Sequence, residues 1–206
     1  MFEYEIQQDD TGLQITDHYS GQRTRYWFNY HQYSITAEQL GTYLATLFDH
    51  ITYVREAGEK LGVSRSQLNY HDRSKFDLEE LPYYVRNFQG DKADPDGFAK
   101  AWLHHIHWNE HHWQHWMFPD GFTPKGSKVE NGIVFMPEEY VTEMVADWMG
   151  ASKAYTGSFN MEEWLTGNLP KIKLHSESWA ILGRVLSDMP GGYRGLIVDM
   201  QANGVI

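Results

Sequence analysis

Residues 36–61, TAEQLGTYLATLFDHITYVREAGEKL, constrain the fold more than any other stretch. Leu44, Leu47, Ile51, Val54 and Leu61 recur at helical spacing, so the segment is expected to form one long amphipathic helix. Thr36 followed by Gln39 has the form of a capping box at its start. Such a helix rises about 39 Å, and its apolar stripe must be covered by other elements. His50 falls three residues after Leu47 and four before Val54, which points it at or near the covered face.

Further helices are expected around it. Asp77 and Glu80 read as the cap of a helix running to about Phe88. Residues 97–117, GFAKAWLHHIHWNEHHWQHWM, read as a second strong helix. MPEEYVTEMVADWMGASKAY reads as a third, with Pro137 in its first turn. Residues 160–166 and 175–188 are shorter candidates, and PDGFTPKGSKVENG reads as a polar, lid-like connection. Residues 2–18 alternate and turn at Asp10–Gly12, as a β-hairpin does. The expected fold is mainly α. A small N-terminal β-hairpin appendage (1–30) precedes a helical domain (31–190), and an extended C-terminal tail (191–206) follows it.

The chain has 206 residues and no cysteine, which suits a single domain without disulfides and excludes thiolate metal sites. Any metal must be held by His, Asp, Glu or Asn. A net charge of −11 disfavours binding to duplex nucleic acid but is compatible with a small phosphate ligand in a locally cationic cleft. There is no basic-then-apolar leader at the N-terminus and no apolar run of the ~18 residues a membrane span needs. A cytoplasmic protein without a membrane partner is the expectation.

Six of the eleven histidines fall between His104 and His115. On one continuous helix His105, Asn109 and His112 share a face, with His104, His111 and His115 on a neighbouring one. Any single histidine here reads better as solvated or packed against Trp102, Trp108, Trp113 or Trp116 than as functional. The set together with Asn109 favours function. Elsewhere His71 is followed at once by Asp72, and Asp147 shares a helical face with the apolar Met144 and Ala151. A carboxylate so placed needs a hydrogen bond, a cation or a metal. Imidazole and carboxylate donors suit Mn, Co, Ni, Zn or Fe.

The order His50, His71–Asp72, Asp147 on separate helices resembles the HD superfamily of metal-dependent phosphohydrolases. More narrowly, HDRSKFDLEEL, AWLHHIHWNEHHWQHW and EMVADW resemble an uncharacterised HD-like family found in phages and bacteria. The resemblance spans roughly residues 44–188 and implies an HD-domain-like helical bundle. It implies one or two divalent ions, the first held by His50, His71, Asp72 and Asp147. His105, His111 and His112 would hold a second ion or the substrate. It implies hydrolysis of a small nucleotide or related phosphate ester in a bacterial cell or phage-infected host, and leaves a homo-oligomer open. Lys75, His105, Asn109 and His112 are the candidate catalytic residues. Lys75, Arg73, Arg55, Lys153 and His175 are the candidate phosphate contacts. One departure matters: nucleotidase branches carry HD-x-x-E, and here that fourth position is Lys75, so the general acid or base is unassigned. The alternatives are a non-haem di-iron oxygenase of HD type and an inactive binding protein whose metal staples the helices.

Overall fold

The computed structural model describes residues 4–9, 12–18, 21–27, 33–189 and 192–202. The chain is mainly helical. Three strands come first, β1 (Tyr4–Asp9), β2 (Gly12–Asp17) and β3 (Gln22–Trp27), in an antiparallel sheet of order β1-β2-β3. The register pairs Asp9 with Gly12, and Gly12 with Trp27. The expected hairpin falls on β1 and β2, and its turn residues Asp10 and Thr11 lie outside the described residues. The third strand has no counterpart in the sequence reading.

The helices follow as α1 (Ala37–Leu61), α2 (Arg65–Tyr70), α3 (Leu81–Gln89), α4 (Pro95–Trp108), α5 (Glu138–Thr156), α6 (Glu162–Asn168), α7 (Ser176–Asp188) and α8 (Arg194–Ala202). The capping box of α1 is formed: the Gln39 amide donates to Thr36 Oγ1 at 3.1 Å, and the Thr36 amide donates to Gln39 Oε1 at 2.8 Å. These are two of the backbone donors that a helix start leaves without internal partners.

Two compact units are present. The first comprises Met1–Thr52 and Asn69–His105, the second Tyr53–Leu68 and Ile106–Ile206. In the first, Leu40, Leu44, Leu47, Phe48 and Ile51 of α1 bury against Leu81, Tyr84 and Val85 of α3, Ala101 of α4, and Phe76. The apolar spacing of α1 therefore does what its sequence pattern requires. In the second, α5 packs on α7 and α7 on α8. Ser178 of α7 ties the entry of α5 by accepting from the Met136 amide and donating to the Met136 carbonyl, both at 2.9 Å.

Two expectations are corrected. The C-terminal segment is not an extended tail: α8 forms there, burying Ile197 and Met200 at helical spacing. Its glycines (191, 192 and 195) hide that short pattern in the sequence. The His-rich stretch is not one helix either. The helix stops at Trp108, a turn carries the His112 amide to the Asn109 carbonyl, and a separate 3₁₀ turn spans Trp113–Trp116. The Trp116 indole holds the bend by donating to the Glu110 carbonyl at 2.8 Å. The shared helical face expected for His105, Asn109 and His112 does not exist.

The polar connection after Met117 is cross-tied rather than lid-like. The Phe118 amide donates to the Gly132 carbonyl, and Glu130 accepts from the Ser176 amide and hydroxyl at 2.7 and 2.6 Å.

Within the second unit, α1 and α5 approach closely at Gly150. A Cβ there would lie 2.4 Å from Val54 Cγ2 and 2.7 Å from the Val54 backbone nitrogen. Because the obstacle includes backbone, Gly150→Ala is expected to cost about 1–3 kcal/mol in urea unfolding. Gly58→Ala, whose nearest obstacle is the movable Leu68 side chain, is expected to cost less. A Gly150→Ala variant as stable as wild type would contradict this packing.

Candidate metal centre

The HD dipeptide sits where α2 gives way to a short 3₁₀ turn, Arg73–Phe76. Asp72 takes a left-handed backbone conformation, φ 57° and ψ 16°. Asp is one of the few non-glycine residues to visit this region readily, and such outliers gather at functional sites. Its carbonyl accepts from the Lys75 amide at 3.0 Å, which closes the turn.

That turn places the Asp72 carboxylate in the interior of the first unit. Asp72 and His71 are both buried. Around Asp72 Oδ2 lie His50 Nε2 at 3.0 Å, Lys75 Nζ at 2.6 Å and His71 Nε2 at 3.7 Å. Ligand atoms of His50, His71 and Asp72 all lie within 4.8 Å of one another. His105 Nε2 faces the other oxygen, Oδ1, at 3.4 Å. Burial pushes the Asp72 carboxyl up. Lys75 and the three imidazoles outweigh it and hold the group well below the usual carboxylate range.

His105 is oriented from behind. Its Nδ1 lies 3.0 Å from Glu80 Oε2 and 3.3 Å from Ser74 Oγ. The second Glu80 oxygen takes His104 Nδ1 at 2.7 Å. Glu80 is fully buried, and that burial pushes its carboxyl above the usual range against the hydrogen bonds from His104 and Ser74. When ionised, Glu80 only accepts, and that state fixes the Nδ1–H tautomer of His105. The Nε2 lone pair then faces an Asp72 oxygen, which is also an acceptor. A cation, whether proton or metal, is what reconciles two such atoms at 3.4 Å.

Glu80 is thus the residue that the sequence reading undervalued. It was expected to cap α3, yet its side chain makes no capping bond at the start of that helix. The signal available was a carboxylate one helical turn before Tyr84 in an otherwise apolar run, LPYYV. His104 is the other half of the same contact.

Arg73 stacks its guanidinium over Tyr70, 5.8 Å from the ring centre. In the second unit, Asp147 is half-buried on α5. Asn109 is buried and accepts at the turn that ends α4. His111 is buried with Nδ1 3.4 Å from Glu143 Oε1, and its ring lies 4.4 Å from that of His112. Glu143, the first residue of EMVADW and given no role from sequence, is buried and accepts from Gln67 Nε2 at 3.2 Å.

Three expected phosphate contacts are occupied elsewhere. Arg55 is buried and donates from Nε to the Leu68 carbonyl at 3.3 Å. Lys153 pairs with Glu56 at 2.9 Å and lies over the Tyr53 and Phe159 rings. His175 caps α7 with Nδ1, accepting from the Glu177 amide, and its Nε2 donates to the Lys128 carbonyl. Both of its ring nitrogens are committed to structure. A contact that satisfies backbone groups reads the same in sequence as a ligand.

Among families of proteins, the match is to a family of unknown function, DUF5662, over residues 39–188. The chain belongs to the DUF5662 family. The matched span begins inside α1 and ends with α7, so it contains every candidate ligand and leaves out the β-sheet and α8. No curated protein and no solved structure matches the chain. Among the described residues, no helix is long and apolar enough to cross a membrane.

Removing Glu80 leaves two imidazole donors without their acceptor. Glu80→Ala is expected to lower stability by about 2–4 kcal/mol in urea unfolding. Glu80→Gln retains one acceptor oxygen and should lose less. Equal, negligible losses in both variants would show that Glu80 does not hold the histidines.

Proposed function

We propose that this DUF5662 member is a metal-dependent phosphohydrolase with an HD-domain-like bundle, acting on a small nucleotide or related phosphate ester. The observation that carries the reading is the setting of Asp72: a buried carboxylate in a left-handed turn, met by His50, His71 and Lys75 on one oxygen and His105 on the other. Side chains of this kind are seldom buried together without a cation to share.

In this reading His50, His71 and Asp72 hold a divalent ion, and the HD resemblance nominates Asp147 as a further ligand. The ion, when bound, supplies Lewis acidity toward a phosphoryl oxygen and lowers the pKa of a water. Lys75 brings positive charge to the transferred phosphoryl group from its perch on Asp72, with Arg73 nearby in the same 3₁₀ turn. His105, oriented by Glu80, takes and returns a proton at Nε2, the role left open by the absence of Glu at position 75. The net charge of −11 favours a small substrate over a polyanion.

The di-iron oxygenase reading draws on one further observation, the buried His111–Glu143 pair with His112 beside it in the second unit. Two irons per chain with O₂-dependent turnover would favour it. Chelation that destabilises a protein with no turnover would favour a metal-stapled binding module.

The test is metal-free protein reloaded with Mn, Co, Ni, Zn, Fe or Mg and assayed for phosphate release from a nucleotide panel. Release is expected with at least one metal. Loss of about 100-fold or more is expected in His71→Ala and Asp72→Asn, together with loss of bound metal. Asn tolerates the left-handed backbone, so Asp72→Asn preserves the turn. No release with any metal would count against the phosphohydrolase.

A further inference from the structure

We propose that the Tyr84 hydroxyl is a specificity-determining donor that grips a phosphoryl oxygen of the substrate; this rests on the phosphohydrolase reading. Tyr84 lies on α3, one turn after Glu80, whose carbonyl accepts its amide at 3.0 Å. Aromatic rings enclose it: Tyr43 at 6.3 Å, Phe88 at 6.0 Å and Phe98 at 5.4 Å between centres. On the side of the metal centre, the His105 ring meets it edge-on at 6.0 Å, and Lys75 Nζ lies 6.0 Å from the ring centre.

The residue is 4% exposed, and among the described residues its hydroxyl has no hydrogen-bond partner. A phenylalanine would fill the same aromatic cluster without burying an unsatisfied polar group. The hydroxyl therefore adds nothing to folding that packing alone would not supply better. Burial pushes the phenol well above its usual range, and the charges of Glu80 and Asp72 push it further. It stays a neutral donor, and neither carboxylate is within hydrogen-bond reach of it. An oxyanion brought in by a metal and Lys75 is the partner such a donor suits, because it offers acceptor oxygens where the chain offers none.

Tyr84→Phe in the full chain tests this, with inorganic phosphate as the probe for binding to metal-loaded protein by calorimetry. Tyr43→Phe, in the same aromatic cluster, serves as the control. Tyr84→Phe should melt at or above the wild-type temperature and hold the same metal per chain. It should bind phosphate about ten-fold or more weakly. In the panel assay its KM should rise or its kcat fall to a similar extent. Tyr43→Phe should match wild type in metal content, phosphate affinity and turnover. Wild-type phosphate affinity in Tyr84→Phe would overturn the proposal, the hydroxyl then serving a buried water or packing alone. Loss of metal or of fold in Tyr84→Phe would also overturn it, in favour of a structural role. Wild-type protein that releases and binds no phosphate would sink the phosphohydrolase reading, and this inference with it. Wild-type turnover with an unaffected Tyr84→Phe would sink this inference alone.

Discussion

The buried charge of Asp72 is the constraint around which the first unit is organised. A carboxylate without solvent is tolerated only where positive charge or donors compensate it. Here compensation comes from four side chains on three stretches of chain: His50 from α1, His71 and Lys75 from either side of the aspartate, and His105 from α4. Without them the carboxylate would stay buried and uncompensated. The left-handed turn at Asp72 is the local cost of delivering it there.

A second carboxylate sets the geometry of the first. Glu80 stands behind His105 and His104 and decides which ring nitrogen carries the proton. Two buried acids linked by one imidazole form a polar seam beside aromatic rings: buried Tyr84 meets His105 edge-on, with Phe98 against it. Low dielectric surroundings strengthen every contact along it and make each unsatisfied group costly. Such seams hold buried side chains in one geometry.

Several features are legible in the sequence. The capping box of α1, its apolar stripe and the inward setting of His50 followed from residue spacing, because a helix has one period and a cap has one geometry. The ends of α5 and α7 followed for similar reasons. Other features were hidden. The His-rich stretch carries helical spacing through to Met117, yet the chain turns after Trp108, with a tryptophan indole holding the bend from six residues away. Glu80 and His175 exchange the roles expected of them, the expected cap becoming an orienting acid and the expected ligand becoming a cap.

The sequence by itself determined the kind of protein this is: mainly helical, free of thiol chemistry, acidic, and furnished with imidazole and carboxylate donors in a recognisable order. Periodicity, composition and charge are properties of the chain, and they need no neighbour in space to be read. Only the tertiary structure decided which donors meet. Whether a histidine faces a carboxylate, a backbone carbonyl or another ring depends on residues far away in the chain. Those pairings are chosen by the burial of apolar surface and by the need of every buried polar atom for a partner.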